Sequence, residues 1–397
     1  MNMIRLLLTF LCLASLSAME EGLKIRIPQA EQTVRVSIEE EANIRAEDRL
    51  QPLAKIKENT LAAALPDTGK DYVWIPGWDL TGTGSLRVAD ASAVLDGSVA
   101  AFLETVGKRA GAQGGRVVLL DVLRKRIAGC FTVGRKLSAL RLGNTLEYAV
   151  AFAEAQPVLK QPSGFVVLDL KEGKERAFHR AEKPMSFAVA GASLFFADAK
   201  GSVRMLNLED GNSKTLFRAP GPLLRTSPDG TAVVAAAEDA FYRIDAASGE
   251  VASKEPRKER FRIGELVCTK ADGTGFLFST LPDTNGKCRL FLHVEEKQRE
   301  IAADSAGRFV WQENGPNLFV MRVIKGRVFR LDPESLKDYS SCEPKSLRPA
   351  TLGTVRWLFS GGDPCELVAM DSLGSVYTLK SVGKRWRKTL IVDAGRR

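Results

Sequence analysis

From about Tyr72 onward the chain is a succession of short runs in which apolar and polar residues alternate, separated by Gly, Asp, Asn, Ser and Pro. Period-two alternation predicts β-strands, and the separators predict tight turns; helical periodicity is almost absent. One strand and its corner recur seven times: RVVLLD ending at Asp121, FVVLDL with Asp169, VRMLNL with Asn207, FYRIDA with Asp245, RLFLHV with His293, VFRLDP with Asp332 and VYTLKS with Lys380. Successive corners lie 48, 38, 38, 48, 39 and 48 residues apart. In the fourth unit, Leu223 to Thr226, Thr231 to Ala237 and Phe241 to Asp245 read as three strands, and Ala246-Ala247-Ser248-Gly249 turns the chain into a fourth. The third and seventh units share a D-x-x-G-S-V core, in LFFADAKGSVRML from Leu194 and LVAMDSLGSVYTL from Leu367.

A four-stranded module of this size cannot bury both faces of its sheet alone, so its neighbours must stack on it. Radial stacking of seven such modules at this period predicts an all-β, seven-bladed β-propeller of four-stranded antiparallel blades over 72–397. The first blade reads as complete from Ser85 and the last to about Asp393. An N-terminal strand, Tyr72 to Ile75 or Thr33 to Ser37, is then available to pair with the last blade and lock the ring.

What precedes the repeats differs. MNMIRLLLTFLCLASLSAMEEG places Arg5 before an apolar stretch and then small residues to Ala18, the order of a secretory signal peptide over 1–18. Cleavage fits after Ala18 or after Ser17. The stretch is too short to span a bilayer, and no later segment does so. The expected location is therefore secreted or periplasmic, with no transmembrane segment. Residues 19–71 read as an N-terminal extension, with strand alternation over Leu23 to Ile38 and helix over Glu39 to Leu65 interrupted at Pro52. Six cysteines, five after signal removal, show no CxxC spacing, so neither a zinc site nor a dense disulfide framework is indicated.

The Ser227-Pro228-Asp229-Gly230 turn, the Asp245 to Gly249 corner and the period resemble WD-repeat-like, YVTN and TolB-like propellers over roughly Ser85 to Asp393. No blade ends in Trp-Asp and none opens with Gly-His, so the resemblance is one of architecture. It implies that loops joining second to third strands, and blade to blade, line the binding face.

The net charge is +9, and 19–65 is acidic, so the repeats are more basic than the whole. A basic surface attracts anions. Three second-to-third-strand loops are expanded: Val106 to Gly114, Ala155 to Gly164 and Leu281 to Lys287. They supply the candidate binding residues Lys108, Arg109, Gln113, Lys160, Asp283 and Asn285, suited to an acidic partner; plain flexible loops are the simpler reading. Trp74 and Trp78 in YVWIPGWDL offer an aromatic platform or a core cap. Lys384, Arg385, Arg387 and Lys388 around Trp386 form a basic stretch on the last strand.

Catalytic chemistry is poorly provided for. The chain has two histidines, His179 and His293, both in apolar-alternating strands, which disfavours a Ser–His or Cys–His mechanism. Asp245-Ala-Ala-Ser248-Gly249 lacks the following Trp of quinone-dependent propellers, so no cofactor and no metal is expected. Glu104, Glu154, Asp198, Glu238 and Asp371 each follow a second strand and would serve a lactonase-like or carbohydrate-active enzyme if they converged at the channel mouth. At strand ends, such residues are more ordinarily turn formers. The expectation is a non-catalytic binding scaffold for a protein or acidic glycan, with nucleic acid excluded for an exported chain.

Overall fold

The computed structural model describes residues 135–170, 174–257, 260–294 and 297–312 without a break. It also describes 24–25, 34–35, 73–74, 86–94, 99–106, 115–122, 126–133, 317–322, 328–331, 355–361, 366–371, 376–382 and 385–393. Lys24–Ile25 pairs antiparallel with Val34–Arg35 within a unit formed by 1–50 and 396–397. Of the Thr33 to Ser37 segment, the described Val34–Arg35 is thus paired within the first unit. The expected signal segment and the helix expected over Glu39 to Leu65 lie outside the described residues.

The second unit, 51–395, is an all-β propeller. Its first four sheets, over 86–133, 137–180, 186–218 and 223–256, are antiparallel meanders of four consecutive strands. Their middle strands are buried on both faces, and period two decides which neighbour each residue meets. In Tyr148–Ala153, the small residues Ala149, Ala151 and Ala153 pack against the first sheet with Leu103, Val117 and Leu140. Tyr148, Val150 and Phe152 pack towards the third with Phe187, Leu194 and Phe196. Phe165 joins Phe152, Phe187 and Phe196 at centroid separations of 5.0 to 5.5 Å. Fully burying one such ring contributes roughly 2–3 kcal/mol.

The ring closes by the same means. Ala91, Phe102, Val118 and Leu120 of the first sheet form one cluster with Val368, Met370 and Val376 of the last, where Val73–Trp74 also pairs parallel with Val392 and Asp393. The Tyr72 to Ile75 segment is therefore the one that joins the last blade.

Among the described residues there are six propeller sheets rather than the seven expected from the repeats. The fifth and sixth sequence modules share one six-stranded sheet over 263–331, because Lys297–Gln312 is a single sixteen-residue strand. Its first half pairs with Cys288–Val294 and its second with Asn317–Arg322, and Ser305 is the hinge that pairs with both Cys288 and Arg322. Ala306-Gly307 fall in the register shift beside that hinge, where a bulge bends the strand. Phe309 and Trp311 then fold back onto Val267, Leu277 and Leu290. The alternation in IAADSAGRFVWQ contains no Pro or Asn-Gly to end a strand, so pairing runs on where a blade boundary was expected.

The corners explain the recurring Asp. Asp229 Oδ1 accepts from the Ser227 hydroxyl and from the Thr231 N–H and hydroxyl, at 2.7 to 2.8 Å. Asp245 Oδ1 likewise accepts from the Ser248 N–H and hydroxyl. Gly230 and Gly201 close their turns at φ +73° and +79°. At Asp229, burial pushes the carboxyl up but is outweighed by its donors, which hold it below the usual range. At Asp245 and Asp272, the Ser248 and Thr274 N–H groups are the largest lowering causes.

Two outcomes are expected. A Cβ at Gly201 would lie 2.1 Å from the Ala219 carbonyl oxygen, whereas one at Gly230 meets nothing within 4 Å. Gly201→Ala should therefore lower unfolding free energy by about 3 kcal/mol or more, and Gly230→Ala by about 1 kcal/mol, in urea titrations. Equal effects would refute the close approach at Gly201. Second, carboxyls depressed in the folded state stabilise it fully above their unfolded values near about pH 4, and that contribution is lost as pH falls through the lower folded values. Asp229→Asn should be less stable than the parent at about pH 7, with the gap narrowing towards about pH 2; a gap constant with pH would count against the assignment.

Candidate functional site

A four-stranded meander sends its first-to-second and third-to-fourth turns to one face of the propeller, and its second-to-third loops and sheet-to-sheet segments to the other. The described connections between 135 and 287 give these faces opposite character. On the turn face, Glu147, Glu209, Asp210, Asp229, Glu250 and Asp272 stand against one basic residue, Lys270. On the loop face, nine Lys and Arg stand against six Asp and Glu.

Several of the loop-face carboxylates are already engaged. Glu154 holds Lys136 at 2.6 Å and Lys183 at 3.9 Å, and Glu238 holds Arg262 at 3.1 Å. Asp198 Oδ1 accepts the Lys200 and Ser202 N–H groups. Asp283 Oδ1 accepts those of Asn285 and Lys287. Asp198 thus serves its own turn, whereas Glu154 and Glu238 also reach the segments leading into the third and fifth sheets; among the described residues none of the three is hydrogen-bonded to another. Asp371 ends a strand, whereas Glu104 lies inside Val99–Val106, opposite Val88 and Arg116, rather than after it; both side chains lie outside the described residues. Among the described residues, no group of three or more His, Cys, Asp or Glu is placed to hold a metal.

The expanded loop 155–163 is ordered by a Gln156–Gln161 bridge around a 3-10 turn at Pro157–Leu159, with Lys160 at φ +54° and its side chain exposed. Ser163 Oγ donates to the Ala181 carbonyl, tying this loop to the segment leading into the third sheet. Leu159, Met185 and Leu281 are exposed on this face, Met185 by 53%. Lys160 and Lys200 have no ion pair among the described residues, so their charge is unspent.

The other expected site residues fare differently. Lys108, Arg109, Gln113 and Trp78 lie outside the described residues. Asp283 is a turn former, and Asn285 is exposed in that turn. The backbone of Trp74 belongs to the fifth strand of the last sheet. Among the described residues that strand pairs only with Val392 and Asp393, so the backbone of the basic residues Arg385, Arg387 and Lys388 is paired only on its inner side. His293 is buried in the wall between the fourth and fifth sheets, stacked on Phe276 at 4.5 Å with Nε2 2.7 Å from Glu255 Oε2. Burial lowers His179.

A second locus was missed. The first strand of each sheet lines a central cavity of about 400 Å³. Its wall carries Asp90, Arg141, Arg225, Glu265 and Arg356. Asp90 Oδ2 accepts both the Leu140 N–H and the Arg141 guanidinium at 2.9 Å, stitching the first sheet to the second. Arg225 of the fourth sheet pairs with Glu265 of the fifth. Burial lowers Arg141, opposed by Asp90, while the neighbouring Arg225 lowers it further. The signal was present as a lone charge inside apolar first strands, in LSALRL, LLRT, IGELVC and VRWLFS.

No family model and no curated protein sequence matches the chain. Solved propellers do. The Swd1 (Cps50) β-propeller domain of Myceliophteria thermophila is 11% identical, with a TM-score of 0.51 over 72% of this chain and 93% of that one. Hydrazine synthase of Kuenenia stuttgartiensis is 15% identical, with a TM-score of 0.52 over 74% and 96%. Hsv2 of Kluyvelomyces marxianus is 10% identical, with a TM-score of 0.55 over 77% and 98%. One of these is an enzyme by name. At such identities, the likeness establishes the β-propeller fold and leaves function to the chain's own residues.

Proposed function

We propose that this chain is an exported, non-catalytic interaction propeller that docks an acidic protein on its loop face. The observation that carries this is the co-location of exposed Leu159 and Met185 with Lys160, Lys183 and Lys200 on the second and third sheets. Apolar residues among cations, of which Lys160 and Lys200 have no ion pair among the described residues, suit a protein surface with apolar and acidic side chains, because burial supplies affinity while charge steers encounter. An acidic glycan would use the cations and leave Leu159 and Met185 idle. Export rests on the signal-like order of 1–18.

The test is capture by the immobilised mature protein, with retained proteins identified by mass spectrometry. A Lys160→Glu/Lys183→Glu/Lys200→Glu variant should weaken capture by about tenfold or more and leave the unfolding midpoint unchanged, since Glu154 keeps Lys136. Unchanged capture would remove the loop-face assignment, and competition by heparin with no protein retained would transfer it to an acidic glycan. For export, N-terminal sequencing of the protein recovered outside the cytoplasm should begin at Ala18 or Met19; an intact Met1 on cytoplasmic protein would sink it.

A further inference from the structure

The charges around the central cavity do not cancel. Asp90 is matched by Arg141 and Glu265 by Arg225, which leaves Arg356. Its guanidinium has no ion-pair or hydrogen-bond partner among the described residues and lies 5.5 Å from the ring centroid of its neighbour Trp357. Among the described lining residues one positive charge is therefore in surplus, beside the apolar Phe187, Phe309, Trp357 and Phe359. Arg356 is itself exposed, so an anion entering the cavity from solvent can reach its guanidinium.

We propose that the central channel is a binding site for a small organic monocarboxylate with an apolar body. The carboxylate would meet the planar donor fork of Arg356, which matches two oxygens at once, with Arg141 and Arg225 adding positive potential behind their own partners. The apolar body would lie against Trp357 and Phe359. Charge selects the class: a monoanion cancels the surplus, whereas a phosphate dianion overshoots it and faces Asp90 and Glu265 uncompensated. A cavity of about 400 Å³ suits such a ligand. Nothing in this site depends on the loop-face cations, so the two assignments stand or fall separately.

Arg356 is also the residue at which the test is clean. Arg141→Gln strands a half-buried Asp90, and loss of fold would mask loss of binding. Arg356→Gln strands nothing. Isothermal titration calorimetry of the full mature chain with phenylacetate should give one saturable site with Kd below about 1 mM. Phenylacetamide, its neutral counterpart, and inorganic phosphate should each bind at least about tenfold more weakly. Arg356→Gln should lose about tenfold or more for phenylacetate with an unchanged urea midpoint, and Arg356→Lys should recover only part, since it keeps the charge without the fork. The Lys160→Glu/Lys183→Glu/Lys200→Glu variant should bind phenylacetate as the parent does. The proposal is overturned if phenylacetate gives no saturable heat at millimolar concentration, if phosphate binds as tightly, or if Arg356→Gln binds unchanged.

Discussion

Everything in the propeller depends on burying both faces of each sheet's middle strands against neighbouring sheets. Tyr148–Ala153 and Ala232–Ala236 have no solvent face. Val233 and Ala235 belong to the cluster shared with the third sheet, while Val234 and Ala236 belong to the one shared with the fifth. A single sheet would leave a whole apolar face in water, so the sheets form together or not at all. The cluster of Phe102, Val118, Val368 and Met370 extends the same condition to the seam between first and last sheets.

That constraint determines where function can reside. Positions in the middle strands are committed to packing, and the turn face is committed to carboxylates that hold their own backbone donors, as at Asp229 and Asp245. What remains are the connections of the loop face and the lumen-facing side of the first strands. The loop face carries cations in excess of the acids that engage them. Among the described residues, the lumen carries two matched pairs and one unmatched arginine. Both are positive, but they select different partners, because one is an open rim with scattered apolar residues and the other a concave cavity at the ring's centre.

The fusion of the fifth and sixth modules shows how local pairing competes with module boundaries. Hydrogen bonding along Lys297–Gln312 is continuous, yet the bend at Ser305 sends Phe309 and Trp311 back against the first half of the same sheet. The packing is that of two stacked layers, although the ladder joins them. A repeat count taken from corners therefore exceeds the count of separate sheets.

The amino-acid sequence by itself determined most of the strands, their corners and the fold class, and it narrowed the closing strand to two candidates. Alternation and turn chemistry act over a few residues, and Asp or Asn at a corner means the same thing wherever the chain goes next. It also located the loop containing Lys160, because loop length is a local property. Only the tertiary structure decided that Glu154, Asp198 and Glu238 hold nearby loop cations and turn donors, and that Asp90, Arg141, Arg225, Glu265 and Arg356 surround one lumen. Those five charges are spread across 90–356, and closure of the ring is what brings them around one axis.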